Sequence, residues 1–79
     1  MERTEIFNKL TEIFRDILDN EDIKLSDTTT AAEIEEWDTL KHIHLVVAIE
    51  RSFNIRFSSK EIQSWENVGE MVDSIMEKI

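Results

Sequence analysis

Apolar residues recur every three or four positions near the beginning of the chain, and this spacing constrains the fold more than any other feature. They are Ile6, Phe7, Leu10, Ile13, Phe14, Ile17 and Leu18. Such a stripe follows one side of an amphipathic helix and has to be buried against other elements. The spacing predicts a first helix over about residues 3 to 19.

A second stripe of this kind closes the chain, and a short helix is predicted before it. The closing stripe consists of Val68, Met71, Val72, Ile75, Met76 and Ile79. Asn67 is a candidate N-cap, with Glu70 three residues later, so the last helix is expected from about 67 or 68 onward. Ser58 and Glu61 have the spacing of a capping box. They predict a helix of one or two turns that directs Ile62 and Trp65 inward.

Residues 20 to 38 show no sustained period and are interpreted as a long connection. Ile23, Leu25 and Ile34 are its apolar residues, and we expect them to hold it against the core. Thr30 and Glu33 have the spacing to cap a short turn within it. Loops of this length are uncommon in small domains and are often functional.

The helix predicted over about residues 39 to 53 has apolar residues on two sides. On a helical wheel, one side contains Leu45, Val46, Ile49 and Phe53. The nearly opposite side contains Leu40, Ile43 and Val47, with His44 and Arg51 among them. A bundle of this size covers one side easily. The second side is then either an exposed docking surface or ordinary core beneath the loop or the short helix, and the spacing leaves both open.

Length and composition limit the classes of function. A chain of 79 residues forms one domain, spanning 1–79, and its small core leaves little room for an enclosed active site. Its net charge of -9, from 18 acidic and 9 basic residues, argues against nucleic acid or an anionic membrane as partner and favours basic proteins. The absence of cysteine excludes disulfides and cysteine nucleophiles. No apolar run approaches the ~20 residues of a membrane span, and no secretory signal opens the chain, so a cytoplasmic location is expected.

The most informative stretch is Trp37-Asp38-Thr39-Leu40, where the acidic loop meets the middle helix. Asp38 or Thr39 can simply accept hydrogen bonds from the free amides of the first turn. His42 and His44, two positions apart, point to different sides of the helix and cannot chelate one ion. His42 is predicted to be a boundary residue near the core and His44 an exposed contact residue. Trp37 and Trp65 are interpreted as packing residues.

The segment from Asp38 to Glu50 resembles the Asp-Ser-Leu attachment motif and recognition helix of acyl carrier proteins, with Thr39 where that family has serine. The order of long helix, long loop, motif helix, short helix and final helix extends the resemblance over essentially the whole chain. It implies an all-α, four-helix bundle with three main helices, one short helix and a long loop after the first.

The resemblance also implies a carrier whose 4'-phosphopantetheine arm, received from coenzyme A, holds acyl groups as thioesters. By this resemblance, Thr39 occupies the attachment position, and Asp38 matches the acidic residue that helps the phosphopantetheinyl transferase bind its metal-bound coenzyme A. The residues expected to contact partners are Leu40, Ile43, His44, Val47, Arg51 and Glu36. The expected partners are that transferase and the acyl-loading and acyl-transferring enzymes, with basic docking surfaces. Because threonine adds a methyl group and restricts χ1, we expect modification to be slow or absent.

The chain is therefore interpreted as a monomeric carrier, not an enzyme, that serves a dedicated fatty-acid, polyketide or related pathway. The recognition helix departs from the family by having Glu50 as its only acid, so its choice of partner should differ from that of a general fatty-acid carrier. Two alternatives stay open. One is a D-alanyl or other aminoacyl carrier, and the other is an acidic helical interaction module without a prosthetic group.

Overall fold

The computed structural model describes residues 1–79, and all of its regular elements are helical. They are α1 (Arg3–Ile17), a 3-10 turn (Ala31–Glu33), α2 (Thr39–Phe53), α3 (Ser59–Ser64) and α4 (Val68–Lys78). This confirms the all-α fold with three main helices, one short helix and a long connection after the first. No helix combines the length and apolar character needed to cross a membrane.

The helices begin where the capping residues predict. The Ser58 hydroxyl accepts a hydrogen bond from the Glu61 backbone N–H at 3.1 Å, and the Glu61 carboxylate accepts one from the Ser58 N–H at 2.9 Å. Before the 3-10 turn, the Thr30 N–H donates to the Glu33 carboxylate at 2.8 Å, and the Glu33 N–H donates to the Thr30 carbonyl at 3.1 Å. Asn67 Oδ1 accepts from the Glu70 N–H at 2.9 Å. Each cap satisfies a backbone donor that the helix itself leaves free.

The end of the first helix differs from the prediction, because α1 stops at Ile17 rather than at residue 19. Asp19 has a φ of 52°, in the left-handed region, which ends the helical geometry. The Asn20 N–H turns back to the Arg15 carbonyl at 3.1 Å. Leu18 remains buried after the helix ends, at 3% exposure.

The core lies between α1, α2 and α4. Its buried residues are Ile6, Leu10, Phe14, Leu18, Ile23, Leu45, Ile49, Val68, Met71, Val72 and Ile75. Burying each large apolar side chain contributes about 1.5–3 kcal/mol, so this one cluster is the main source of stability. Trp65 packs against it, whereas Ile62 is only half-buried and lies outside it. Met76 and Ile79 of the predicted closing stripe are also largely exposed, since Ile79 follows the end of α4 and Met76 lies near that end.

The long connection is held against the bundle by apolar contacts and by hydrogen bonds. Ile23 is buried, and Leu25 and Ile34 pack against the core, as predicted. Backbone bonds join the connection to the start of α4: Val68 N–H donates to the Thr29 carbonyl at 2.9 Å, and Gly69 N–H donates to the Asp27 carbonyl at 3.0 Å. Arg3 adds ion pairs to Asp27 and Asp73. The connection therefore has a fixed path up to the start of α2.

Gly69 permits this close approach, and replacing it should loosen the connection. A Cβ at position 69 would lie 2.7 Å from the Asp27 carbonyl oxygen, which belongs to backbone that the hydrogen bond holds in place. We expect Gly69→Ala to destabilise the fold by about 1–3 kcal/mol despite the better helix propensity of alanine. Urea unfolding measures this, with Glu77→Ala on the exposed side of α4 as a control that should stay within about 0.5 kcal/mol. An unchanged or higher stability of Gly69→Ala would contradict the tight approach.

Candidate functional site

Asp38 fixes the start of α2 and thereby positions Thr39. Its backbone is extended, and its Oδ1 accepts a hydrogen bond from the Lys41 N–H at 2.8 Å. Thr39 is the first residue of the helix, is exposed, and its hydroxyl has no hydrogen-bond partner in the protein. The backbone N–H groups of Thr39 and Leu40 also lack partners. A free hydroxyl therefore lies beside the positively polarised end of a helix of 15 residues.

Thr39 lies at the edge of an open cleft of about 410 Å³. The loop, the first turn of α2 and the junction between α3 and α4 contribute its walls. Its lining includes Trp37, Asp38, Thr39, His42, Trp65 and Glu66. The cleft is thus built from three separate parts of the chain, and the exposed Thr39 is among its lining residues.

An ordered aromatic cluster forms the wall of this cleft. Trp37 Nε1–H donates to His42 Nδ1 at 3.0 Å, and the two rings stack with their centroids 5.8 Å apart. Trp65 meets the His42 ring at 76° and donates its own indole N–H to Ser74 Oγ at 2.8 Å. The edge of the cluster contacts the core through Phe14, whose ring is 4.9 Å from that of Trp37. This confirms that both tryptophans pack and that His42 is a boundary residue with a partner.

The second apolar side of α2 is exposed. Leu40, Ile43 and Val47 are 61%, 56% and 43% exposed, and His44 and Arg51 are exposed beside them. On the opposite side, Leu45 and Ile49 are fully buried, Val46 is 7% exposed and Phe53 is half-buried. Of the two interpretations left open by the spacing, the exposed one is therefore correct: neither the loop nor α3 covers this side.

Several charged groups around the exposed side of α2 already have hydrogen-bond partners within the protein. Glu50, the only acid of the helix, accepts the Phe57 N–H at 2.9 Å and so caps the following segment. Glu36 is half-buried and accepts from Asn20 Nδ2 at 3.0 Å. Lys41 Nζ donates to the Ile17 carbonyl at 3.4 Å, on the α1 side. The exposed side thus presents apolar residues with His44 and Arg51 and no free carboxylate from α2.

The sequence did not predict the cleft or the contact between Trp37 and His42. It did contain a signal: an aromatic residue directly before the motif and a histidine on the core side of the helix, five positions later. The stacking itself depends on how the loop enters α2, which a periodicity does not specify. Asp38 and Thr39 are adjacent at the cleft, whereas Val47 and Arg51 lie farther along the helix, away from it.

Known proteins resemble this chain in sequence and in fold. No family model matches the chain. A curated acyl carrier protein of Coprothermobacter proteolyticus is 28% identical over 75 residues, which cover 95% of this chain and 92% of that protein. The solution NMR structure of a holo acyl carrier protein from Geobacter metallireducens superposes with a TM-score of 0.86 at 38% identity, covering 91% of this chain and 83% of that one.

The chain belongs to the acyl carrier protein family. Both matches cover more than nine-tenths of this chain, at 95% and 91%. The solved relative also has the same fold. Members of this family are carriers and not enzymes, which confirms the expectation that this chain is not an enzyme.

His42 should make stability depend on pH near neutrality. Burial lowers its pKa below the ordinary 6.5, so the folded protein binds this proton less readily than the unfolded chain. The contribution of neutral His42 to the free energy of unfolding is fully present above pH 6.5. It is lost as the pH falls towards the pKa of His42 in the folded protein. We expect His42→Gln to flatten this part of the dependence in urea unfolding from pH 7.5 to about 5, and His44→Gln to keep it. The same slope in wild type and His42→Gln would show that other groups cause it.

Proposed function

We propose that this protein is a carrier of the kind that holds acyl groups as thioesters on a 4'-phosphopantetheine arm for a dedicated fatty-acid, polyketide or related pathway, with Thr39 at the attachment position and the protein therefore in its unmodified form. The observation that carries the proposal is the exposed, unpartnered hydroxyl of Thr39 at the start of α2, directly after Asp38. The relative from Geobacter metallireducens was solved in its holo form. The arm would supply the thiol, and the protein would supply its placement and its docking surface.

The residues around Thr39 suit a phosphodiester. The free N–H groups of Thr39 and Leu40 point out of the helix start, where backbone donors and the helix dipole favour an anion. No acid of α2 lies in its first turn. Asp38 has one oxygen bonded to the Lys41 N–H, which leaves the other available to a transferase or its metal ion. The Asp38 side chain can thus cap the helix with one oxygen and contact the modifying enzyme with the other.

The methyl group of Thr39 opposes this modification. A transferase has to bring the hydroxyl into line with a phosphate, and small errors in that geometry are costly. Threonine has a secondary alcohol and a restricted χ1, so fewer approaches are open than for serine. We therefore expect the protein in its unmodified form, or modified slowly, as long as threonine stands at this position.

Intact-protein mass spectrometry tests the attachment position. The wild type and Thr39→Ser would each be incubated with coenzyme A, magnesium and a broad-specificity phosphopantetheinyl transferase. We expect the serine variant to gain one arm and the wild type to gain it at least ~100-fold more slowly or not at all, because a misplaced hydroxyl loses about two orders of magnitude in rate. The measured quantity is the modified fraction over time.

Thr39→Ala is the control for this experiment, because it keeps the helix start without a hydroxyl. An arm on Thr39→Ala would place the modification on another residue. A serine variant that stays unmodified, with a transferase shown to act on diverse carriers, would remove the support for a carrier. Modification of the wild type at the rate of the serine variant would make Thr39 a working attachment site.

We further propose that the exposed side of α2 contacts the partner enzymes. Its apolar residues Leu40, Ile43 and Val47 are flanked by His44 and Arg51, and Glu36 lies before the helix. The exposed acids Glu33, Glu35 and Asp38 lie at the attachment end and would draw basic docking surfaces there. Apolar contact and acidic steering would then act at neighbouring parts of one surface.

Substitutions at two adjacent valines distinguish an effect on docking from an effect on folding. Val47 is 43% exposed and Val46 is 7% exposed on the same helix. We expect Val47→Asp to cost less than about 1 kcal/mol of stability, yet to slow modification of a Thr39→Ser background. Val46→Asp should cost roughly 3 kcal/mol or more, because it buries an unpaired charge. Urea unfolding and transferase kinetics give both quantities, and a large loss of stability from Val47→Asp would place that side in the core.

A second candidate is an interaction module that docks through the same exposed side and carries no arm. The combination of an exposed apolar stripe with threonine at position 39 is the observation that favours it. In this case the serine variant would stay unmodified while Val47→Asp still weakened partner binding.

A further inference from the structure

The far end of α2 carries positive charge that the protein does not neutralise. Arg51 and Arg56 are exposed and form no ion pair within the protein. The hydrogen bonds donated by arginine side chains come instead from Arg3 and Arg15. In a chain with a net charge of -9, these two guanidinium groups therefore remain available to another molecule.

The turn after α2 brings the two arginines to one open groove of about 500 Å³. Asn54 has a φ of 57°, in the left-handed region, and the Ile55 N–H donates to the Glu50 carbonyl at 3.0 Å. The chain thus folds back against the last turn of the helix. The residues that line the groove include Val47, Arg51, Ile55 and Arg56. An apolar floor therefore lies between two free cations.

The one carboxylate in this groove is already engaged. Glu50 is half-buried, forms no ion pair with either arginine, and accepts the Phe57 N–H at 2.9 Å. The exposed acids Glu12 and Asp16 of α1 line a different hollow. With two free cations and one engaged carboxylate, the local potential favours an anionic group.

The two ends of the exposed side of α2 have opposite charge. Glu35 and Asp38 are exposed before the helix, and Arg51 and Arg56 are exposed at its far end. Asp38 and Arg51 lie about 20 Å apart along the axis, from the rise per residue of an α-helix. The exposed apolar residues between them are Leu40, Ile43 and Val47. A uniformly basic surface laid along this stripe would place like charges against both arginines, which is unfavourable at an interface.

We propose that the groove of Arg51 and Arg56 receives carboxylates of the partner protein, whose surface is then basic beside Thr39 and acidic about 20 Å farther along α2. This inference rests on the proposed docking of partners to the exposed side of α2 and specifies their charge pattern. Arginine suits the role because its planar guanidinium can pair with a carboxylate through two parallel hydrogen bonds. The two signs give the partner one direction along the helix, which directs position 39 towards one end of the partner.

Two peptides of identical composition test the proposal on the unmodified protein. Both are stapled into a helix with one leucine face. The segregated peptide has lysines at one end and glutamates about 20 Å away, whereas the mixed peptide alternates them at both ends. Titration of the ¹⁵N–¹H backbone signals measures binding. We expect the segregated peptide to bind roughly three- to tenfold more tightly, because it forms ion pairs at both ends without like-charge contacts.

Matched variants separate the groove from general charge. Arg51→Gln/Arg56→Gln should remove the advantage of the segregated peptide. Lys24→Gln/Lys60→Gln removes the same charge from exposed positions outside the groove and should keep the advantage. Urea unfolding checks that both variants keep the fold. Added salt should reduce the advantage in the wild type, because it screens exposed charges.

A nitroxide on the lysine end of the segregated peptide measures its direction. We expect it to broaden the backbone signals of Thr39 and Leu40 and to spare those of Arg51 and Arg56. The opposite direction, equal binding of the two peptides, or an advantage that survives in Arg51→Gln/Arg56→Gln would overturn the inference, as would the absence of binding by both peptides. Failure of Thr39→Ser to accept an arm would count against the carrier function alone, because the peptides bind without an arm.

Discussion

The arrangement of this protein depends on which side of α2 is buried. The helix has two apolar sides, and only one can face α1 and α4. Leu45 and Ile49 are fully buried there, against Phe14 among others. Once that side is packed, the helical geometry directs Leu40, Ile43 and Val47 away from the core, and they are exposed because neither the loop nor α3 covers them. The exposed apolar side of α2 is therefore a consequence of the way the core is filled.

The same packing determines where the first turn of α2 lies. The connection reaches Asp38 along a path fixed by Ile23 in the core and by backbone bonds from Val68 and Gly69. Trp37 then packs on Phe14 and bonds to His42, which fixes the approach to the helix start. Thr39 follows as the first helical residue and is exposed. The position of the exposed Thr39 is thus determined by the contacts of Trp37 before it and of His42 after it.

Local signals in the sequence predicted the helix starts, because a cap is formed by residues only three positions apart. Ser58 with Glu61, and Asn67 before Glu70, form the predicted contacts. The end of α1 was wrong by two residues, since the left-handed turn at Asp19 interrupts a helix whose apolar pattern continues to Leu18. Periodicity records which side chains are apolar and does not record where the backbone leaves the helix.

The site was predicted in part for a similar reason. Asp38 and Thr39 are adjacent in the chain, so a motif could identify them and Asp38 could be expected to cap. The exposure of Leu40 and Val47 could not be decided, because a helical wheel shows which residues share a side but not which side the neighbouring elements cover. The cleft was not predicted, since it joins residues from the loop, α2 and the α3–α4 junction.

Asp38 connects the stability of the helix with the chemistry proposed for its end. Its carboxylate caps the helix and lies near the free N–H groups where a phosphodiester would bind. Two anions near one helix end repel each other, so an attached phosphate would compete with the cap for the same positive end. The first turn of a helix held only by its cap would then be less stable after modification. Here the stacked and hydrogen-bonded pair of Trp37 and His42 holds that turn independently, so the start of α2 can keep its shape with either anion beside it.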